Sequence, residues 1–180
     1  MALTSLHSPA RWVFVWLALT LLACTFGFDP NAPPSQPVTP GTAPGGEIGR
    51  VVQVIDGDTI DVDLNGQVFR VRYVGVNTPE RDETCYRPAV DANRLLVEGK
   101  TARLVRDVSD TDRFGRLLRY VYVGDLFVNR ALVEQGYAEV VLYEPDRAYY
   151  DLFRQLEQEA RAAGRGCHPT GIFDDGSDTR

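Results

Sequence analysis

The residue types best suited to chemistry lie close together in the chain, between Val54 and Glu80. Asp56 and Asp58 open this stretch, and Glu80 closes it. Carboxylate oxygens are preferred ligands of hard cations such as calcium. Arg72 lies between them, and a guanidinium holds phosphate oxygens with its planar fork. The stretch therefore has the groups needed to bind a cation beside a phosphate, although Asp-Gly-Asp and Thr-Pro-Glu taken singly are also typical of ordinary turns.

A β-hairpin would bring these groups together. Apolar and polar residues alternate on both sides of Asn65-Gly66, as they do in half-buried antiparallel strands. Asn-Gly is the strongest short-range signal for a type I′ turn, which needs positive φ at both central residues. Because a hairpin returns the chain to its starting edge, we expect Asp56 and Asp58 to meet residues 77–80.

The hydrophobic pattern after residue 46 predicts an α+β domain. Alternation predicts strands, and helical spacing with a glycine stop predicts helices. The predicted strands are 48–55, 59–64, 67–74, 101–107 and 116–123, followed by an extended segment at 137–142. The predicted helices are 88–99, with Pro88 as first residue, 126–135 and 147–163.

Two of these helices have an apolar stripe that we expect to face the core. In the first helix the stripe consists of Ala89, Ala92, Leu95 and Leu96. In the last helix it consists of Tyr149, Leu152, Phe153, Leu156 and Ala160. An aromatic stripe at this spacing is typical of a packed core rather than of a cofactor site.

The N-terminal residues 1–24 are typical of an export signal. Arg11 precedes an uninterrupted apolar run from Trp12 to Ala23, which is too short to span a bilayer comfortably. The run ends Leu21-Leu22-Ala23-Cys24, which resembles a bacterial lipobox, and this predicts a lipidated Cys24 that anchors the protein at the outer side of the cytoplasmic membrane. An ordinary signal peptide cut after Ala23, with a freely secreted product, and a retained anchor remain alternatives.

Composition divides the rest of the chain. Residues 25–46 are rich in proline and glycine, which predicts a disordered tether. Residues 47–173 form the predicted folded domain, and residues 174–180 an acidic tail. The net charge of −6 argues against a broad basic surface for nucleic acid, so such a ligand would depend on a local cationic site.

Three motifs occur in an order that resembles the thermonuclease (staphylococcal or micrococcal nuclease-like) family. They are VIDGDT at 54–59, FRVRYVGV followed by NTPE at 69–80, and DRFGR at 112–116. The resemblance covers residues 48–173. It implies an OB-fold, a five-stranded β-barrel with three packed helices, whose surface commonly binds nucleic acid. It also implies calcium-dependent hydrolysis of DNA and RNA with little sequence preference. Together with the export signal, this predicts an exported nuclease, which we expect to be a monomer.

The resemblance implies a role for each candidate site residue. Calcium would be bound by Asp58, Asn77 and the backbone carbonyl of Thr78, while Asp56 shapes the local field. The family usually has aspartate at the position of Asn77, and a neutral ligand should weaken calcium binding.

Three further residues match groups that act on the phosphate or on water. Glu80 takes the position of the family's general base or water-orienting carboxylate. Arg72 and Arg116 match its two phosphate-binding arginines. Tyr143 matches a nucleotide-binding tyrosine across an alignment gap.

The remaining cysteines, Cys85 and Cys167, belong to a domain that we expect to be exported, where disulfides persist. We therefore predict that they pair. A metal site is the weaker alternative, because His168 is the sole neighbouring candidate ligand.

Three functions are compatible with these residues. The first is a nuclease, the second a catalytically silent nucleic-acid-binding module, and the third a structural lipoprotein of the envelope. Glu80, Arg72 and Arg116 favour the nuclease, because no structural role requires all three together.

Overall fold

The structure is a computed structural model that describes residues 45–174. The predicted export signal with Cys24, the tether up to residue 44, and residues 175–180 of the acidic tail lie outside the described residues. Within residues 45–174, no helix has the length and apolar character needed to cross a membrane.

Residues 45–174 form eight strands, three α-helices and one short 3₁₀-helix. The strands are β1 (Glu47–Val54), β2 (Thr59–Leu64), β3 (Gln67–Tyr73), β4 (Val76–Asn77), β5 (Thr101–Val105), β6 (Leu117–Val123), β7 (Leu126–Phe127) and β8 (Glu139–Val140). The helices are α1 (Tyr86–Val97), α2 (Val128–Glu134) and α3 (Tyr150–Ala162), and the 3₁₀-helix is His168–Thr170.

Five strands close into a barrel in the order β3-β2-β1-β5-β6. Neighbours in this order are antiparallel, and the ring is closed by parallel pairing of β3 with β6, where Val71 lies opposite Leu117. The turn between β2 and β3 has φ of 57° at Asn65 and 89° at Gly66, as the type I′ prediction requires. The predicted α+β fold with a five-stranded OB-fold barrel and three helices is confirmed.

The barrel interior is filled by alternate side chains of its strands, because successive residues of a strand face opposite sides. Ile60, Val62, Val71, Leu104 and Val121 are at most 1% exposed. Burying one such aliphatic side chain stabilises the fold by about 1.5–3 kcal/mol. The same alternation turns every second residue of β2 and β3 outward, and this outer face bears the polar groups discussed below.

The helices pack against one side of the barrel through a second, aromatic layer. Phe153 of α3 is fully buried, and its ring lies within 6.4 Å of the ring of Tyr120 on β6. Tyr149 and Phe127 complete the cluster, with edge-to-face contacts to Tyr120. The predicted stripe of the last helix is therefore core at Phe153, Leu156 and Ala160, whereas Leu152 is 38% exposed.

Several predicted helix boundaries and one predicted helix face are wrong. α1 begins at Tyr86 rather than at Pro88, and Leu95 is 79% exposed. Leu95 lies two residues, and so about half a helical turn, beyond the buried Asn93. Val97 takes the inward position instead.

The other differences arise where short strands replace predicted loop or helix. Residues 126–127 pair with β6 as β7, so α2 starts at Val128. β4 and β8, within a predicted loop and a predicted extended segment, form a two-stranded sheet of their own. α3 begins at Tyr150, three residues later than predicted.

Candidate active site

The two ends of the β2–β3 hairpin meet, as the sequence predicts, through Asp58 and Thr78. Oδ2 of Asp58 accepts hydrogen bonds from the backbone N–H of Thr78 at 2.8 Å and from its hydroxyl at 3.0 Å. Gly57 makes this approach possible, because a Cβ atom at that position would lie 2.6 Å from Oγ1 of Thr78. The Asp-Gly-Asp turn thus docks directly on the segment after β3.

Arg72 is the buried cation of this cluster, with 7% exposure. Its Nη1 donates to the carbonyls of Tyr73 at 3.1 Å and Val76 at 2.8 Å, and lies 3.1 Å from Oδ2 of Asp58. Its Nη2 donates to Oδ1 of Asn77 at 2.8 Å. Within residues 45–174, Nε–H and one hydrogen of Nη2 have no acceptor, so these donors are available to an anion.

Asp58 is close enough to Asp56 for its negative charge to affect the ionisation of Asp56. Burial, followed by the negative charge of Asp58, raises the pKa of Asp56 to about 6. The Asp58 N–H, which donates to Oδ1 of Asp56 at 3.0 Å, and the charge of Arg72 act in the opposite direction. A cation placed at this turn would relieve the repulsion between the two carboxylates.

The donor chemistry of the cluster fits a hard divalent cation such as calcium. Oδ1 of Asp58 accepts from the Thr59 hydroxyl at 3.1 Å and keeps capacity for a further partner. In the described part of the chain, no group of three or more His, Cys, Asp or Glu residues is arranged to hold a metal ion. A cation here would therefore need the amide oxygen of Asn77 and a backbone carbonyl, both of which calcium accepts.

Glu80 lies at the edge of this cluster, on the loop that follows Pro79. Its backbone N–H donates to Oε2 of Glu83 at 2.7 Å, and the N–H of Glu83 donates back to the Glu80 carbonyl at 2.9 Å. This turn holds the backbone of Glu80 while the residue is exposed to solvent. A solvent-facing carboxylate is placed where it can act on water.

Arg116 is positioned by the tight loop that precedes β6. Oδ1 of Asp112 accepts the backbone N–H groups of Phe114 and Arg116, both at 2.9 Å, and Oδ2 accepts Nε–H of Arg116 at 2.6 Å. Burial acts to raise the pKa of Asp112, but these donors and the Arg116 charge outweigh it and lower the pKa. Gly115 completes the turn with φ of 79°. Among residues 45–174, no acceptor pairs with Nη1 or Nη2 of Arg116, so these donors can bind another anion.

Barrel closure places Arg116 on the same face as Arg72. Since Val71 of β3 lies opposite Leu117 of β6, Arg116 is next to the outward-facing positions of β3. A cleft of about 430 Å³ opens there. It is lined by Asp61, Val68, Arg70, Phe114, Gly115 and Arg116. Phe114 is 68% exposed, and the Arg116 guanidinium lies 5.5 Å from its ring centroid.

Tyr143 is not brought into contact with the cluster. It is 39% exposed and begins the turn that ends at Asp146, whose N–H donates to the Tyr143 carbonyl at 2.7 Å. No hydrogen bond or ring contact joins its side chain to the cluster within the described residues. Its role in binding nucleotide stays a prediction.

Cys85 and Cys167 form a disulfide, with Cα atoms 5.7 Å apart, in agreement with the predicted pairing. The bond connects the loop after Glu80 to the segment after α3. Because both sulfurs are used, the alternative metal site with His168 is not formed. His168 is 8% exposed and neither of its ring nitrogens has a hydrogen-bond partner among the described residues.

Two buried polar residues of the site were missed by the sequence reasoning. Asn93 of α1 accepts from the Tyr73 hydroxyl and donates to the Asp56 carbonyl, both at 2.9 Å. Glu139 of β8 accepts from Nδ2 of Asn77 at 3.1 Å. Each interrupts an apolar pattern at an inward position, and this signal, a polar residue where the periodicity requires burial, could have identified both.

Comparisons with known proteins place this geometry in context. The model of the staphylococcal nuclease homologue family matches residues 70–167. Endonuclease YncB of Bacillus subtilis (strain 168) is 42% identical over 118 residues, which cover 61% of this chain and 56% of that protein. The SPbeta prophage-derived endonuclease YokF of the same strain is 41% identical over 118 residues, with coverage of 61% and 40%.

A shorter relative is covered more fully. The thermonuclease of Staphylococcus hyicus is 35% identical over 118 residues, which cover 62% of this chain and 70% of that protein. The chain thus spans about half the length of the two Bacillus relatives and most of the staphylococcal one.

Proposed function

Because the chain belongs to the staphylococcal nuclease homologue family, we propose that it is a nuclease that hydrolyses phosphodiester bonds of DNA and RNA with little sequence specificity. The observation that carries this proposal is the position of Arg72. Its guanidinium is buried between Asp58 and Asn77, and within residues 45–174 two of its N–H groups have no acceptor. Glu80, an exposed carboxylate, follows two residues after Thr78, which shares the Asp58 carboxylate with Arg72.

In the proposed mechanism, the residues that stabilise the phosphate charge differ from the residue that acts on the attacking water. Arg72 and Arg116 donate to the phosphate oxygens and stabilise the negative charge that grows in the transition state. The Asp58–Arg72 ion pair and the Asp112–Arg116 hydrogen bond hold these groups in place before the substrate arrives. Glu80 orients the attacking water or accepts its proton.

Calcium is the proposed cofactor. Asp58, Asn77 and the carbonyl of Thr78 would hold it, and Asp56 would add negative charge nearby. When bound, a divalent cation neutralises part of the phosphate charge and promotes ionisation of water. The neutral Asn77 amide lowers the number of ligand charges, which is consistent with a modest affinity for calcium.

The cleft beside Arg116 is the proposed place for the nucleotide next to the cleaved bond. Exposed aromatic rings stack on bases irrespective of sequence, and arginines follow the backbone phosphates. Phe114 and Arg116 line this cleft, so the binding would show little base preference. All the proposed groups belong to one chain, and we therefore propose that the enzyme acts as a monomer.

The test is digestion of supercoiled plasmid and of RNA by the purified full chain, with calcium and with a chelator. We expect cleavage of both substrates in calcium and none in chelator. Glu80→Gln should lower the rate about a hundredfold or more. Asp82→Asn is the matched control, because Asp82 is an exposed carboxylate of the same loop.

A silent nucleic-acid-binding module is the second candidate, and Asn77 is the observation that favours it. If the parent protein binds DNA but does not cleave it at any calcium concentration, this second function replaces the first. If it neither binds nor cleaves, the structural envelope lipoprotein is supported instead.

Export and anchoring through a lipidated Cys24 are proposed from the sequence of residues 21–24. Cells that express Cys24→Ala should release the protein or accumulate its precursor. Unchanged membrane fractionation and electrophoretic mobility would contradict the lipid anchor and favour one of the other export signals.

A further inference from the structure

Glu139 lies directly behind the candidate cation site. It pairs with Asn77 across the two-stranded sheet of β4 and β8, and its Oε1 accepts from Nδ2 of Asn77 at 3.1 Å. The two residues are 6% and 1% exposed. A buried carboxylate needs hydrogen-bonding partners, and one partner of Glu139 is a residue of the site itself.

The chemistry of its two partners decides which way the Asn77 amide faces. A guanidinium can only donate, and an ionised carboxylate can only accept. Arg72 Nη2 therefore requires the oxygen of Asn77, and Glu139 requires its NH₂ group. The contacts of 2.8 Å and 3.1 Å satisfy both requirements. The Asn77 oxygen is thereby directed toward Arg72, whose other terminal nitrogen lies 3.1 Å from Asp58.

The strand that carries Glu139 is itself held on both sides. The N–H of Val140 donates to Oε1 of the buried Glu157 on α3 at 2.9 Å, and the N–H of Val141 donates to the Gly75 carbonyl at 3.2 Å. Glu157 is in turn paired with Arg154. These bonds connect β8 to α3 and to the segment after β3, so the position of Glu139 is defined by the fold.

We propose that Glu139 is a positioning residue of the active site, which sets the orientation of Asn77 and supplies, from behind it, the negative charge that Asn77 lacks. This inference rests on the proposed function for its calcium component. The two residues together carry one amide and one carboxylate, so the cluster keeps a carboxylate charge although its ligand oxygen is neutral.

The carboxylate of Glu139 changes what is expected of Asn77→Asp. Considered from the sequence, this substitution adds a ligand charge and should tighten calcium binding. In the structure it places a second carboxylate about 3 Å from that of Glu139, and like charges at this distance are strongly disfavoured. Asn77→Asp should tighten calcium binding only in combination with Glu139→Gln, because the glutamine NH₂ group can donate to the new aspartate.

The experiment is a double-mutant cycle of Asn77→Asp and Glu139→Gln in the full chain. Urea unfolding in chelator measures the folding equilibrium, and calorimetric titration with calcium alone measures affinity. Asn77→Asp should lower the folding equilibrium constant about tenfold or more. The double variant should recover most of that loss. Glu134→Gln, a surface carboxylate on α2, is the control and should change neither measurement.

The calcium titration separates positioning from simple packing. Glu139→Gln retains an oxygen that accepts from Asn77 but loses the charge, so calcium should bind several-fold more weakly with little change in stability. The double variant, with its charge on the ligand itself, should bind calcium more tightly than the parent.

Two outcomes would overturn the role of Glu139. One is additivity of the two substitutions in chelator, and the other is unchanged calcium affinity in Glu139→Gln. Absence of calcium binding in the parent would contradict the proposed cofactor, while the stability cycle in chelator still decides whether Glu139 positions Asn77.

Discussion

Asp58 and Thr78, twenty residues apart in the chain, are joined by two hydrogen bonds to a single carboxylate oxygen, at 2.8 and 3.0 Å. The same oxygen lies 3.1 Å from Nη1 of the buried Arg72. One side chain thus connects the turn before β2, the end of β3 and the segment that follows it. Every residue proposed to act on the phosphate or the cation lies on one of these segments, apart from the Arg116 loop.

Asp58→Ala should lower the free energy of unfolding by about 3–5 kcal/mol, because it leaves the buried Arg72 charge without its carboxylate. The control is Asp61→Ala, which removes the partner of the half-exposed Arg70 and should cost at most about 1 kcal/mol. Urea unfolding in chelator measures both losses. Equal losses of unfolding free energy would mean that the buried Asp58–Arg72 pair contributes no more to stability than the Asp61–Arg70 pair. Asp58→Ala should also raise the calcium concentration that the reaction requires, or abolish its response to calcium.

Arg72→Lys should lower the rate of phosphodiester cleavage about a hundredfold, even in saturating calcium. Lysine keeps the charge but cannot serve the Val76 carbonyl, Asn77 and a phosphate at once, since it lacks the planar fork. Single-turnover rates would measure the effect, with Arg130→Lys on the surface of α2 as the control. A folded Arg72→Lys protein with the parental rate would show that the guanidinium is not part of the reaction.

Phe114→Ala should raise KM for single-stranded DNA several-fold and change kcat little, because the ring is proposed to stack on a base next to the cleaved bond. Leu95→Ala removes an apolar side chain of α1 that is 79% exposed, against 68% for Phe114, and serves as the control. Steady-state rates over a range of oligonucleotide concentrations separate the two constants. A fall in kcat with constant KM would mean that Phe114 positions the Arg116 loop rather than binding a base.

Removing both cysteines should destabilise the domain by about 4 kcal/mol, the loop-entropy estimate for a bond that closes about eighty residues. Cys85 has φ of 72°, a conformation that costs a non-glycine residue about 1–2 kcal/mol. The pair Cys85→Gly with Cys167→Ala should therefore be more stable than Cys85→Ala with Cys167→Ala. Urea unfolding compares them, and the reverse order would contradict this account.

Burial, together with the charge of Arg161, lowers the pKa of His168, while Asp174 acts to raise it. The unfolded chain then binds a proton more readily than the folded protein. The stability that the neutral His168 contributes is present above the unfolded pKa of about 6.5 and is lost as pH falls through the folded pKa. The stability difference between the parent and His168→Gln should therefore shrink below pH 6.5. A difference that is constant from pH 5 to 8 would contradict this.

Much of the site follows from local sequence signals. The Asn65-Gly66 turn needs two residues that tolerate positive φ, and alternation sets the register of β2 against β3. That register brings Asp58 to Thr78, so the meeting of the two ends was predictable without a structure. The Asp112–Arg116 loop is likewise local, since its aspartate bonds its own neighbours.

The sequence predictions are wrong where a strand is too short to show a periodicity, or where the deciding contact joins residues far apart in the chain. β4 and β8 have two residues each, too few for any periodicity, and the Asn77–Glu139 bond joins residues 62 positions apart. Apolar spacing predicts an inward Leu95, but the residue is exposed, because spacing alone does not define the centre of a helix face. In both cases the deciding contact belongs to a partner that the local pattern does not contain.

The amino-acid sequence by itself determined the family, the barrel strands, the cysteine pair and the part of the site where Asp58 meets Thr78. The tertiary structure decided on which face of the barrel Arg116 lies, through the parallel pairing of β3 with β6. It also decided which carboxylate accepts a hydrogen bond from the Asn77 amide. The physical reason is that periodicity reports only whether a residue is buried, whereas the identity of its neighbour depends on the closure of the barrel and on the docking of β8 against β4.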